Sequence, residues 1–179
     1  MDSIYQKRFI FTALCIALNI GLGKLSNILA LPFTMDTIGT ILSAALLPWY
    51  LTLIVGGLSS VIASIIIHPV FLYYIGTQLV IAIVAVGLIK VKMFDSLIKS
   101  MLSGLIIGIA SALISAPVTA VVFGGIAVPS ITALNAVFIA SGISLWKAVI
   151  SGALIVESID KMTAGIFAWF ILRRVQKIV

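Results

Sequence analysis

Three carboxylates and one lysine mark where this chain could do chemistry. Among 179 residues there are only five acids: Asp2, Asp36, Asp95, Glu157 and Asp160. Asp36 opens an apolar run, and Glu157, Asp160 and Lys161 form the segment ESIDK at the head of another. A carboxylate at the centre of a membrane helix costs about 3 kcal/mol on insertion scales, so it is expected to face a bundle interior or a wet cavity. For any one of these acids, capping of a helix start is the ordinary alternative, because the positive dipole end favours a carboxylate. Three at one level, with Lys161 four residues after Glu157, point to a shared polar pocket. Tyr74 and Gln78 fall at that level and share a helical face, and Asn135, Trp146 and Lys147 join them. Ring stacking plus a few fixed hydrogen bonds in an apolar pocket would suit a flat heteroaromatic ligand. Tyr73 fits the interfacial aromatic belt instead, and His68, beside Pro69, an interfacial loop.

Other chemistries lack their residues. There is one histidine and one cysteine, Cys15, so neither a disulfide within the chain nor a cysteine metal cluster can form. No GxxxxGK[ST] phosphate loop occurs, and no cofactor is expected. A pocket without a motor would need a partner to supply work. The same acids could serve a membrane enzyme acting on lipid or prenyl substrates, although such chemistry normally uses repeated Asp or His for metal. An assembly protein would use small-residue stripes for packing and leave the acids unexplained.

The elements that must hold these residues are membrane helices. The chain is 63% hydrophobic and 9% charged, with a mean hydropathy of +1.34, whereas soluble domains carry about 25% charged residues. A single all-α membrane-embedded domain over residues 1–179 is expected. Its basic pI of about 9.7 reflects lysines and arginines flanking apolar runs, where they set topology, not a nucleic-acid surface.

Six spans are expected. The first runs from about Arg8 to Ile28 and, lacking a cleavage site for a signal peptidase, is expected to be retained. Ala13, Ala17 and Gly21 share one of its faces, and small residues let another backbone approach closely in lipid. A loop at Leu29–Met35 leads to a second span, Asp36 to Pro48-Trp49, about 20 Å long and too short to cross a ~30 Å core unaided. The loop must therefore plunge below the surface. Spans follow at Tyr50–Ile67, Val70–Ile89 and Leu97–Val122, the last with Gly104, Gly108 and Ala112 as a second small-residue stripe and a kink expected at Pro117. Ala133–Val156 reads as a re-entrant or interfacial helix before the sixth span, Ser158–Leu172. This parity places Lys7, Arg8, Lys90, Lys92, Lys99, Arg173, Arg174 and Lys177 inside and only Lys24, Lys147 and Lys161 outside, as the positive-inside rule requires. Both termini are then cytoplasmic, in a multi-pass protein of the cell membrane.

Size, span number, plunging loop and three motifs together carry a resemblance. Ala13-x-x-x-Ala17 in span 1, LPFTMDTIGTILSAALLP across the first loop and span 2, and Glu157-Ser-Ile-Asp160-Lys161 before span 6 resemble the S components of energy-coupling factor (ECF) vitamin transporters. The subgroup they resemble is that assigned to pyridoxine-type or hydroxymethylpyrimidine-type substrates. Trp49-Tyr50 departs from the small residues usual after span 2 in those proteins. The resemblance implies a substrate-binding subunit that captures a small vitamin on the outer face and then topples against a transmembrane coupling subunit, with two ATPase subunits driving release. It implies docking through Ala13, Ala17 and Gly21, and a gate formed by Phe33, Thr34 and Met35. It implies a pocket drawn from Asp36, Tyr74, Gln78, Asn135, Trp146, Lys147, Glu157, Asp160 and Lys161.

Overall fold

Every regular element among the described residues, 3–29, 31, 33–127 and 129–175 of a computed structural model, is helical. Helix α1 spans Ser3–Ile28, α2 Ile38–Leu46, α3 Trp49–Ile66, α4 Ile75–Lys90, α5 Leu97–Phe123, α6 Pro129–Ala140 and α7 Leu145–Val175. A 3-10 turn over Pro69–Tyr74 leads into α4, and His68 Nδ1 caps it by accepting from the Val70 N–H at 3.2 Å. Four helices are long and apolar enough to cross a membrane: Ile4–Ile28, Trp49–Ile66, Pro69–Lys90 and Leu97–Phe123. Helix α6 is a shorter apolar helix. Helix α7 has 31 residues and carries Lys147, Glu157, Asp160, Lys161, Arg173 and Arg174 along it.

The short second helix is central. At 9 residues, α2 is about 13 Å long, and everything from Ile38 to Ala44 is buried. It packs against α1 at close range through Gly39, where a Cβ would collide with the Cys15 carbonyl. The Gly39 N–H donates to Asn19 Oδ1 at 2.7 Å, and Asn19 Nδ2 reaches Thr40 Oγ1 at 2.9 Å and Ser59 Oγ at 3.1 Å. One buried amide thus ties α1, α2 and α3, because a buried polar group must find its partners inside.

The second small-residue stripe is spent inside the fold. A Cβ on Gly108 would lie 2.6 Å from Ser158 Cα, one on Gly104 would collide with Lys161 O, and one on Gly165 would lie 2.6 Å from Ser100 O. Helices α5 and α7 therefore run antiparallel with their backbones nearly touching. The stripe on α1 behaves differently. Ala13, Ala17 and Gly21 are exposed, while Thr12, Cys15, Asn19 and Ser26 form the buried face of the same helix.

Two boundaries differ from those expected. Ala133–Val156 is not one element: its first part belongs to α6, a turn follows at Ser141–Ser144, and from Leu145 the chain is already in α7. The helix expected from Ser158 therefore begins 13 residues earlier, at Leu145. Charge at Lys147 and Glu157 and the Gly142 turn masked a continuous helix whose inner face, Ala148, Val149, Gly152 and Ala153, is small and buried. As a consequence Glu157 and Asp160 lie about three turns inside α7, so a helix-start dipole does not account for them.

Gly39, where α2 meets α1, and Gly21 on the open face of α1 invite a paired test. Gly39→Ala should lower stability by about 1–3 kcal/mol through overpacking, seen as a lower melting temperature in detergent. Gly21→Ala, with nothing within 4 Å of the added methyl, should leave it unchanged or raise it. Equal effects at the two sites would contradict the close α1–α2 approach.

Candidate functional site

The carboxylates converge on one ammonium. Lys161 Nζ lies 3.5 Å from Asp36 Oδ1, 3.4 Å from Glu157 Oε2 and 2.5 Å from Asp160 Oδ2. Lys161 is 3% exposed and Asp160 2%. Glu157 meets Lys161 because residues four apart stack on one helical face. Asp160 is the next residue back and turns its carboxylate toward the start of α2. Asp36 comes from the segment before α2, 125 residues away from Lys161 in the chain, and closes the cluster from the opposite side.

The plunging loop is fastened to this cluster. Thr34 Oγ1 lies 2.9 Å from both Asp36 Oδ1 and Asp160 Oδ2, and the Met35 N–H donates to Asp160 Oδ1 at 2.9 Å. Met35 holds a φ of +53°, a left-handed conformation that few non-glycine residues adopt and that aims its N–H at Asp160. The Phe33 carbonyl accepts from Ser26 Oγ at the end of α1. Asp160 thus links α7 to the loop, and Asp36 links the loop to α4 by accepting from Gln78 Nε2 at 3.1 Å.

Around the cluster lies a cavity of about 40 Å³, bounded on its polar side by Thr34, Asp36, Gln78, Glu157, Asp160 and Lys161. Phe71, Tyr74, Ile81, Ile131 and Val156 form the apolar side, with Ser60 and Thr77 between. That volume admits a few water molecules. Pockets for organic ligands run to ~300 Å³ and above, so the cavity as it stands is too small for a ring. Tyr74 is held ready by a 2.7 Å hydrogen bond between its hydroxyl and Thr119 Oγ1, and its ring stacks on Phe123 at a 6.2 Å centroid distance.

Of the nine pocket residues expected, six line the cavity: Asp36, Tyr74, Gln78, Glu157, Asp160 and Lys161. Asn135, Trp146 and Lys147 do not. Asn135 is buried where α6 packs on α7 at Gly152, and its Nδ2 donates to the Gly125 carbonyl at 3.0 Å. Trp146 and Lys147 are exposed at the first turn of α7. Their placement at the pocket rested on a re-entrant helix, and the continuous α7 carries them about three turns away from Glu157.

Several residues at the site were not foreseen. Ser111 donates to Glu157 Oε2 at 2.8 Å; it sits three residues after Gly108 on the small-residue face of α5, and that spacing was its only signal. Phe71, Thr77 and Ile131 look like ordinary apolar or interfacial positions in sequence. Among the described residues no group of three or more His, Cys, Asp or Glu is arranged to hold a metal ion; at the focus of the three carboxylates sits the Lys161 ammonium. Comparison with protein-family models, curated proteins and solved structures finds no match.

Proposed function

We propose that this chain is the substrate-binding membrane subunit of an ECF-type importer, taking up a small vitamin or precursor of the pyridoxine or hydroxymethylpyrimidine type. The observation that carries the proposal is the convergence of Asp36, Glu157, Asp160 and Lys161 on one cavity beneath a loop that the same carboxylates fasten. Ion pairs buried in an apolar bundle are rarely worth their desolvation as struts alone, and intramembrane charge marks function by default. Phe33, Thr34 and Met35 form the gate, and release of the Asp160 contacts opens it.

In this proposal six helices span the cell membrane, with α6 lying at the outer interface and both termini inside. The element order supports it: Lys7, Arg8, Lys90, Lys92, Lys99, Arg173 and Arg174 gather at one end of the bundle, opposite the cavity. Helix α2 need not cross alone, because the half-buried segment 33–36 before it is hydrogen-bonded into the bundle at Asp160 and Gln78. The exposed Ala13–Ala17–Gly21 face supports docking on a transmembrane coupling subunit, which with two ATPase subunits would supply the work.

Calorimetric titration of the purified chain in detergent tests the function. Pyridoxine, pyridoxamine, the hydroxymethyl-aminopyrimidine and thiamine form the panel, and at least one should bind with a Kd near or below about 1 μM, about −8 kcal/mol. Failure of all four would remove the proposal. Cysteine labelling tests the topology. In a Cys15→Ala background, a cysteine near Gly125, at the exposed Ile126, should react only from outside and one at Lys92 only from inside; labelling of both from one side would overturn the six-span arrangement.

A further inference from the structure

Taking the ligand-binding role as given, we infer that the pocket selects a ligand carrying a protonated amine, and prefers it to the neutral alcohol of the same shape. The argument is an inventory of charge and of hydrogen-bond donors. Three carboxylates face one ammonium, a formal balance of −2 when all are ionised. The other two lysines at this end of the bundle, Lys24 and Lys147, are exposed, and neither borders the cavity. Excess negative charge in a low-dielectric interior is costly, so a cationic guest gains what a neutral one does not.

The nitrogen donors at the cluster already face its carboxylates. An ammonium has three protons, and those of Lys161 face Asp36, Glu157 and Asp160. Gln78 Nε2 donates to Asp36, Ser111 Oγ to Glu157, and the Met35 N–H to Asp160. Acceptors remain. Gln78 is 6% exposed, lines the cavity, and its Oε1 has no hydrogen-bond partner. The amide orientation is set by chemistry, since an oxygen turned toward Asp36 would oppose a carboxylate. Both polar contacts to Glu157 engage Oε2. Thr77 Oγ1 also lines the cavity without a partner and can donate or accept, so it is the charge balance more than the supply of donors that favours a donating guest: a ring-borne ammonium supplies three protons and the missing charge together.

The test compares an isosteric pair by calorimetry on the purified full chain. Pyridoxamine carries an aminomethyl group, charged at neutral pH like a lysine amine, where pyridoxine carries a hydroxymethyl group. Pyridoxamine should bind about tenfold more tightly, a difference of about 1.4 kcal/mol, since hydrogen bonds to charged groups are stronger than neutral ones. Pyridoxal 5′-phosphate, an anion, should not compete. The preference should shrink in Glu157→Gln or in Asp36→Asn, two variants so that loss of folding in one leaves the other. Equal or tighter binding of pyridoxine to the parent protein would overturn the inference while leaving the vitamin-binding role intact. A tenfold preference that survives in both variants would overturn the assignment of these carboxylates as its source. Absence of binding by both compounds would remove the inference, and the binding role with it only if the hydroxymethyl-aminopyrimidine and thiamine fail as well.

Discussion

Lys161→Met is expected to be the most destabilising single substitution in the chain, costing about 3–5 kcal/mol. Methionine fills nearly the same volume, so packing is not what is lost. What is lost is the cation that holds Asp36, Glu157 and Asp160 within 3.5 Å of a single nitrogen. Three carboxylates would then repel one another around a site in which Asp160 is almost inaccessible to solvent. The loop would be affected as well, because Thr34 and Met35 are bound to Asp160. Thermal unfolding in detergent measures the effect, and adding Asp160→Asn to the variant should restore part of the loss, since groups in one network are not additive. A Lys161→Met protein that melts with the parent would mean that the cluster carries no charge to balance.

The other large effect is expected where nothing in the molecule is in contact. Ala17→Trp should reduce uptake in cells expressing the full importer to background while leaving ligand affinity within about twofold, because the sites share no neighbours. Ala17 is exposed on the face of α1 opposite Cys15 and Asn19, so an indole there disturbs no internal packing. It does forbid the close backbone approach that a small-residue face permits. Uptake measured with a labelled vitamin, beside calorimetry on the purified variant, separates docking from binding. Parallel loss of both would place Ala17 in the pocket machinery instead of on a docking face.

How far the sequence foretold this site depends on which physical signal each residue carried. Asp36, Glu157, Asp160 and Lys161 were legible because charge in an apolar chain is costly and must be compensated. Tyr74 and Gln78 were legible because four residues make one helical face. The shortness of α2 was legible from the distance between Asp36 and Pro48. Helix α7 was misjudged at its start because Lys147 and Glu157 interrupt hydropathy, while the small buried face of Ala148, Val149, Gly152 and Ala153 is what keeps it helical. That one boundary displaced Trp146 and Lys147 from the site. Asn135 was misplaced for a different reason: it is taken up in the packing of α6 on α7, where its Nδ2 finds the Gly125 carbonyl while its Oδ1 lies against Gly152 without a hydrogen-bond partner. The α5 glycines show the same ambiguity, since small-residue stripes serve internal packing on α5 and outward presentation on α1.

Ligand affinity of the three amide variants tests the binding pocket most directly. Asp36→Asn, Glu157→Gln and Asp160→Asn are titrated by calorimetry with the tightest binder of the vitamin panel, and each is melted in parallel. A hydrogen bond to a charged partner is worth about 1.5–3 kcal/mol, so a carboxylate that contacts ligand should lose roughly ten- to a hundredfold in affinity. Asp36→Asn should also release ligand faster, because Asp36 fastens both Thr34 of the gate and Gln78 of α4. If all three variants fold and bind as tightly as the parent, the cluster is a strut between helices and the vitamin pocket does not lie here.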